Sequence, residues 1–121
     1  MREKTVFELI IEGKIPANKV LESEKFLAFH DINPKAPIHI LIIPKEHFEN
    51  FQELRPELMS EMTQFIQELA TLLGLDKSGY RLITNCGKNS GQEVFHLHFH
   101  MLGGFELPKN KETQVNPESL F

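Results

Sequence analysis

The sequence contains a single cysteine, Cys86, among its 121 residues. A lone cysteine cannot form an internal disulfide, which excludes the disulfide-stapled secreted folds and fits a reducing, cytoplasmic setting. The sequence also lacks the Cys-x-x-Cys and His-Glu-x-x-His motifs that mark two common kinds of zinc site.

Long apolar runs and an excess of positive charge are absent too. No stretch approaches the ~18 consecutive apolar residues of a membrane-spanning helix. The charged residues 1–8 lack the apolar core of a signal peptide. The formal net charge of −4 argues against a nucleic-acid footprint, because phosphates are neutralised by clustered Lys and Arg. We therefore expect a cytoplasmic protein that binds neither membranes nor nucleic acids.

The composition is that of one globular domain. Hydrophobic residues make up 40% of the sequence and charged residues 25%, both ordinary values. A chain of this length can bury a core without staples. After Phe105 the sequence becomes polar and loses its periodicity. We predict a domain at 1–104 and a C-terminal tail at 105–121.

Hydrophobic periodicity predicts an α+β domain built on an antiparallel sheet. Thr5 and Glu8 have the spacing of a capping box, which predicts a short helix at 5–11. A second, long helix at 56–73 follows from apolar residues at three- and four-residue spacing after Pro56. Five strands are predicted, at 19–23, 25–31, 38–44, 80–86 and 94–102. The run at 38–44 is almost continuously apolar, which is typical of a central strand buried on both faces.

Three histidines at alternate positions are the most informative feature of the sequence. His96, His98 and His100 alternate with the apolar residues Phe95, Leu97, Phe99 and Met101. Successive side chains of a β-strand point to opposite faces, so a strand places the imidazoles on one face and the apolar groups on the other. Imidazole can act as base, acid, nucleophile or metal ligand near neutral pH. The pattern predicts one packing face and one chemically active face.

A zinc site is one interpretation of these histidines. Three His ligands and a water form a catalytic zinc site. Alternate strand residues lie ~6.7 Å apart, which puts His96 and His100 roughly 13 Å apart, too far for all three to share one ion. A zinc site would need two of them together with His39. We favour a site without metal or cofactor.

An anion site is the interpretation we favour. The loop before the histidines carries short donors and glycines that let a phosphate approach the main chain: Asn85, Ser90, Gly91 and Gln92. Taken alone, such a loop favours a hairpin turn over an anion site. It gains weight because it ends at the foot of the three-histidine strand.

Two further features are compatible with a bound nucleoside, although each has a structural alternative. Asp31 could accept hydrogen bonds from ribose hydroxyls, or it could initiate a turn. Five apolar residues could form a base pocket or could belong to the core: Val6, Phe7, Ile10, Phe29 and Ile32.

These residues resemble a known family. The segment 96–102 fits the histidine-triad signature His-φ-His-φ-His-φ-φ, in which φ is apolar. The flanking residues resemble the Hint branch of that family, the histidine triad nucleotide-binding proteins. The resemblance covers residues 5–104, and its most specific segments are 29–39, 42–47, 91–96 and 103–104.

The resemblance implies a fold and an activity. The fold is a five-stranded antiparallel sheet with one long and one short helix, which joins a second copy to form a homodimer with a ten-stranded sheet. The activity is hydrolysis of purine nucleoside phosphoramidates, such as AMP joined to an amine, through a nucleotidyl-histidine intermediate.

The resemblance also implies residue roles. His98 would be the nucleophile, the His96 carbonyl would fix its tautomer, and His39 and His100 would line the phosphate site. Asp31 and Ile32 would contact the ribose and base. The phosphate and the leaving group would be bordered by Asn85, Gly91, Gln92 and Glu93.

Two departures from the family pattern bear on the leaving group. Glu93 stands where eukaryotic relatives usually have Ser, and a carboxylate cannot donate to phosphate as a hydroxyl does. The Trp-Pro-Pro-Gly ending of many relatives is replaced by the polar tail. Two alternative functions remain open at this point, a dinucleoside polyphosphate hydrolase and a nucleotide-binding regulatory protein with incidental hydrolysis.

Overall fold

The computed structural model describes residues 2–105, within which helices pack on a five-stranded antiparallel sheet. The elements in chain order are helix α1 (Val6–Ile11), strands β1 (Lys19–Glu22), β2 (Phe26–His30) and β3 (Ile38–Pro44), helices α2 (Pro56–Leu72) and α3 (Leu75–Ser78), and strands β4 (Tyr80–Ile83) and β5 (Phe99–Gly103). Two short 3₁₀ turns lie at Phe51–Glu53 and Lys88–Ser90. The predicted α+β class is confirmed.

The strand order β1-β2-β3-β5-β4 puts β3 in the centre of the sheet. Its neighbours β2 and β5 both run antiparallel to it. Every residue of β3 after Ile38 is buried, which confirms the prediction of a central strand covered on both faces.

The two faces of the sheet carry separate apolar clusters. Alternation along the central strands sends Ile40 and Ile42 to the cluster beneath α2, and Leu41 and Ile43 to the cluster beneath α1. Because His39 has the same parity as Leu41, it lies on the α1 face. The candidate site is therefore on the α1 side of the sheet.

Both predicted helices are present. The Thr5 side chain accepts from the Glu8 N–H, and the Glu8 carboxylate accepts from the Thr5 N–H, so the capping box is complete. Helix α2 begins at Pro56 as predicted, and its buried side chains lie on the face turned to the sheet. Removal of a fully buried core side chain such as Met62 costs about 2–5 kcal/mol.

Four strands are shorter than predicted, β1 and β2 by one or two residues and β4 and β5 by more. Strand β5 begins at Phe99 rather than at 94, and β4 ends at Ile83 rather than at 86. Before β5, the chain bonds outside the sheet: the Leu97 N–H donates to the Phe48 carbonyl over 2.7 Å. After β4, the Thr84 hydroxyl donates to the His98 carbonyl over 2.7 Å. Helix α3 and the two 3₁₀ turns were not predicted.

The predicted tail falls largely outside the described residues, which end at Phe105. The division of the chain at 104 stays a prediction. Within residues 2–105, no helix combines the length and the apolar character needed to cross a bilayer.

Candidate active site

His98 lies directly before β5 and is held by a main-chain carbonyl two residues away. Its Nδ1 is 2.8 Å from the carbonyl oxygen of His96. A carbonyl can only accept, so Nδ1 carries the proton and the neutral ring has its lone pair on Nε2. Burial lowers the pKa of His98 below its ordinary value, which favours this neutral form.

The Nε2 atom of His98 remains accessible although the residue as a whole is 8% exposed. No described residue bonds to this atom. Among the described side chains, the fully enclosed nitrogen without a partner is His96 Nδ1, so His98 Nε2 is not enclosed. The ring packs edge-on against Phe7, with centroids 5.0 Å apart, and against His100, at 5.1 Å. The accessible nitrogen of His98 is thus unprotonated, carries a lone pair and lies on a ring next to a second imidazole.

His39 and His100 form a directed pair of hydrogen bonds. The Lys35 N–H donates to His39 Nδ1 over 3.0 Å, so a neutral His39 carries its proton on Nε2. That Nε2–H donates to His100 Nδ1 over 2.9 Å. The neutral His100 ring therefore carries its proton on Nε2. Strand pairing of β3 with β5 brings these two residues together from positions far apart in sequence.

Burial keeps this pair neutral. It lowers the pKa of His100 to about 4, with further lowering by His98 and His39. Burial also lowers the pKa of His39, against the opposing effect of Asp31. At neutral pH both rings are accordingly uncharged, and His100 Nε2–H is the donor group at the end of the pair.

Asp31 and Ile32 lie at the start of the loop after β2. One Asp31 oxygen is 3.5 Å from His39 Nε2, and the other accepts from the Asn33 N–H over 2.8 Å, a local turn bond. Ile32 is 91% exposed. Asp31 therefore takes part in the turn that sequence reasoning offered as its alternative, and it also lies beside the histidine pair.

The ring of His96 is separated from the other two histidines. It is fully buried, and its Nε2–H donates to the Pro44 carbonyl over 2.8 Å. Phe7 contacts both His96 and His98 edge-on, while the nearest imidazole to His96 is His47, at 5.1 Å. The expected alternation is nevertheless present, because His96 and His98 both contact Phe7 on the α1 face and His98 contacts His100. Only the direct ring contact of His96 with the other two histidines is missing among the described residues.

Burial lowers the pKa of His96 to about 4, so its ring is neutral. Its Nδ1 is a buried nitrogen without a hydrogen-bond partner among the described residues. On the opposite side, Leu97, Phe99 and Met101 are buried as predicted, whereas Phe95 is 38% exposed and does not pack in the core.

The predicted base-pocket residues fall into two groups. Phe7, Ile10 and Phe29 are buried together on the α1 face, and the Phe7 and Phe29 rings meet edge-on at 5.7 Å. Val6 is 41% exposed. The three buried side chains form a wall next to His98, and the exposed Val6 and Ile32 can contact a ligand.

The loop before the histidines is held by its own side chains. The Asn85 amide donates to the Ser90 carbonyl over 2.9 Å. Gly91 has φ +91°, which only glycine adopts without strain. Glu93 is exposed. The Asn85 bond thus ties the start of the loop to the main chain next to Gly91.

Gln92 is buried and uses its whole amide inside the protein. Its oxygen accepts from the Gly87 N–H over 2.7 Å, and its nitrogen donates to the carbonyls of Glu49 and Val94. The side chain therefore positions the loop instead of pointing at a ligand.

A cavity of about 630 Å³ opens beside the loop. It contains none of the triad histidines, but Val6 and Glu93 line it, and both were predicted to lie at the nucleotide site. Its other charged residues are Arg2, Glu3, Glu49 and Lys88. Since Arg2 is paired with Glu8, the charge left on the walls is net negative.

Two groups of side chains in the described region could hold a metal ion: Asp31, His39 and His100, and Glu8, His47 and His96. In the first group, His39 and His100 already bond to each other. In the second, both histidines donate Nε2–H to carbonyls.

The Glu8 carboxylate of the second group binds Arg2 in a bidentate pair, which lowers its pKa to about 2. Within the described residues, the Nδ1 atoms of His47 and His96 are therefore the atoms of this group that could bind a metal ion without breaking one of these bonds.

Sequence reasoning missed two contributors to the site. The main chain of Lys35 sets the His39 tautomer, and no sequence signal marks a backbone donor. His47 bonds to the Phe95 carbonyl over 2.8 Å. Its place in the segment 42–47, already noted for its resemblance to the histidine-triad family, was a signal that could have identified it.

Comparisons with known proteins agree with this geometry. The family model described as HIT domain matches residues 12–107. A HIT-like protein of Helicobacter pylori (strain ATCC 700392 / 26695) is 58% identical over 99 residues, which cover 82% of this chain and 95% of that protein.

Two solved structures show the same fold. A HIT family hydrolase from Clostridium thermocellum superposes with a TM-score of 0.82 at 40% identity, covering 96% of this chain and 100% of that one. A histidine triad nucleotide-binding protein from Candida albicans gives 0.76 at 30% identity, with 97% and 90% covered. The chain belongs to the HIT family.

Proposed function

We propose that this protein hydrolyses purine nucleoside phosphoramidates by cleaving the P–N bond between a nucleoside monophosphate and an amine. The observation that carries the proposal is the 2.8 Å bond between His98 Nδ1 and the His96 carbonyl, because it leaves an unprotonated and accessible Nε2. The similarity to a HIT family hydrolase and to a histidine triad nucleotide-binding protein supports a nucleotide as the substrate.

In the first step, His98 Nε2 attacks the α-phosphorus in line with the departing nitrogen. A P–N bond to the histidine forms as the P–N bond to the amine breaks, and the leaving nitrogen takes up a proton from solvent. The Nε2–H of His100 is a suitable donor to the phosphoryl oxygens, which gain charge in the transition state.

In the second step, water attacks phosphorus and displaces His98. The products are the nucleoside monophosphate and the free imidazole, and the water proton leaves to solvent or to a neighbouring base. A protonated leaving nitrogen departs far more readily, so a general acid contributes ~10²–10⁴-fold to the first step. Nothing in this sequence of steps requires a metal.

The substrate would lie across the α1 face. Asp31 binds the ribose hydroxyls, and Phe7, Ile10, Phe29, Val6 and Ile32 form the base pocket. The phosphate meets Asn85 and Gly91 together with His39 and His100, while Gln92 and the His96 carbonyl act by positioning the loop and the nucleophile. The leaving amine extends past Glu93 into the adjoining cavity.

We propose that the protein is a homodimer joined through β4. The sheet has two edges: β1 carries the ion-paired Lys19 and Glu22, whereas β4 exposes the large side chains of Tyr80 and Leu82. An apolar unpaired edge is the one that pairs with another strand. Two copies joined there would form a ten-stranded sheet.

Steady-state hydrolysis of a fluorogenic adenosine phosphoramidate tests the proposed activity. The wild type should release the amine, and His98→Ala should not, while nucleotide binding persists. Diadenosine polyphosphate serves as the comparison substrate. Faster turnover of the polyphosphate, or an undiminished rate in His98→Ala, would contradict the proposal.

A further inference from the structure

The residues between the loop and β5, 92–98, connect the phosphate loop to the nucleophile without being part of the sheet. We propose that His47 is a positioning residue which, through the Phe95 carbonyl, holds the main chain at His96 in the orientation that fixes the His98 tautomer. The kinetic consequence rests on the proposed function, but the structural claim does not.

Three consecutive main-chain carbonyls in this segment, those of residues 94–96, each accept a hydrogen bond from a side chain. The Val94 carbonyl accepts from Gln92 Nε2 over 3.0 Å, and the Phe95 carbonyl accepts from His47 Nε2 over 2.8 Å. The next carbonyl, that of His96, accepts from His98 Nδ1 over 2.8 Å. Two side chains thus fix the carbonyls immediately before the one that orients the nucleophile.

Peptide planarity turns these contacts into a constraint on His96. The Phe95 carbonyl belongs to the peptide plane that precedes the His96 Cα, and the Leu97 N–H belongs to the plane that follows it. His47 holds the first plane, and the Phe48 carbonyl holds the second through a 2.7 Å bond. With both planes fixed, the two dihedral angles of His96 are fixed, and so is the direction of its carbonyl.

His47 also contacts His96 directly, because the two rings meet edge-on at 5.1 Å with an interplanar angle of 89°. Its contribution therefore has two separable parts, a ring that packs and an N–H that donates. The proposal assigns the effect on His98 to the N–H.

Two substitutions separate these parts. His47→Gln keeps a donor nitrogen the same number of bonds from Cα but removes the ring, whereas His47→Phe keeps the ring and removes the donor. Gln52→Phe, at an exposed position five residues along the chain, is the control for introducing a phenylalanine side chain. All variants are made in the full chain.

The first readout is the tautomer of His98 in the free protein, measured by ¹⁵N NMR of histidine-labelled samples. Wild type and His47→Gln should show a protonated Nδ1 and an unprotonated Nε2. His47→Phe should show a second population with the proton on Nε2. This readout needs no substrate, so it stands whether or not the proposed activity is found.

The second readout is kinetic, with the fluorogenic adenosine phosphoramidate. His47→Phe should lower kcat roughly tenfold, the scale of one lost hydrogen bond, with KM changed by less than about twofold. His47→Gln and Gln52→Phe should stay close to wild type. If the wild type lacks hydrolysis altogether, the proposed function fails and the tautomer result alone judges the role of His47.

Three outcomes overturn the inference. His47→Phe with a wild-type tautomer shows that the donor is not needed. Equal losses in His47→Gln and His47→Phe show that a donor alone does not suffice. Stoichiometric metal in the purified wild type that is lost in His47→Gln shows that His47 acts as a ligand instead.

Discussion

His98 donates its Nδ1–H to the main-chain carbonyl of His96 over 2.8 Å, while the ring of His96 bonds elsewhere, to the Pro44 carbonyl. The first histidine of the triad therefore orients the ring of His98 through its backbone, and its side chain anchors that backbone to β3. An imidazole that is oriented by a carbonyl needs no ionised partner, which suits the proposed attack on an anionic phosphate.

Substitution of His39 or His100 should lower kcat by less than substitution of His98, but by more than substitution of a surface residue. His39→Ala removes the donor to His100 Nδ1, so the proton of His100 is no longer confined to Nε2. We expect kcat to fall by ~10²-fold, the scale of one lost transition-state donor. His100→Ala should have a similar effect, and kcat on the adenosine phosphoramidate measures both.

The double variant gives this prediction its control. If the two histidines act as one unit, His39→Ala combined with His100→Ala loses little more than either alone. Additive losses would mean that the two rings act independently.

Acid should destabilise the fold through its buried histidines. The pKa of His96 is about 4 in the folded protein and 6.5 as a free group, because burial disfavours its charged form. Between those values the unfolded chain binds a proton that the folded chain does not, so stability falls as pH drops from 6.5 towards 4 and levels off below. His100 acts in the same direction.

The pKa of Glu8 is also lowered in the folded protein, but for a carboxylate this stabilises the fold, and it does so in a different pH range. Its pKa is lowered from 4.5 to about 2 by Arg2, so its contribution is complete above pH 4.5 and is lost only below it. The difference between the free energies of unfolding in urea at pH 7 and at pH 5 therefore reports the contribution of the buried histidines. A decrease of about 2 kcal/mol from His96 alone is expected, and equal stability at the two pH values would contradict the burial argument.

Glu93 should influence which amine leaves. It lines a cavity whose walls carry net negative charge, together with Glu3 and Glu49. A leaving amine that carries a further, positively charged group should therefore be preferred over one of equal size without that group. Glu93→Gln should reduce that preference, measured as the ratio of kcat/KM values, by roughly threefold, the scale of one exposed charge pair.

Glu24→Gln, an exposed substitution outside this cavity, is the matched control. An unchanged ratio in Glu93→Gln would place the leaving group away from this cavity.

The edge strand β4 should carry the dimer contact. Leu82→Lys places a charge on the exposed edge, and charged edge residues oppose strand pairing. Light scattering after gel filtration should show a dimer for the wild type and a monomer for this variant. Lys19→Leu, on the opposite edge β1, should remain dimeric, and a dimeric Leu82→Lys would refute the assignment of the edge.

Local patterns predicted much of this fold. The capping box of Thr5 and Glu8, the start of α2 at Pro56 and the buried strand β3 each depend on residues close together in sequence. The alternation of histidines also placed His98 and His100 next to each other correctly.

The remaining features depend on contacts between distant segments. Periodicity continued the last strand back to 94, but the chain there bonds to the segment that follows β3, through His47 and Phe48. In the same region the His96 ring bonds to the Pro44 carbonyl and the Gln92 amide bonds to the Glu49 carbonyl. No local pattern reports which carbonyls a distant side chain will reach.

The central claim is that His98 forms a covalent bond to phosphorus, and trapping that intermediate tests it most directly. Wild-type protein is mixed with an adenosine phosphoramidate, quenched within the first turnover under alkaline conditions, digested, and analysed by mass spectrometry with fragmentation. The account predicts an adenylyl group on His98 that is absent in His98→Asn. An adenylyl group on His96 or His100, or hydrolysis that proceeds with no labelled histidine, would contradict it.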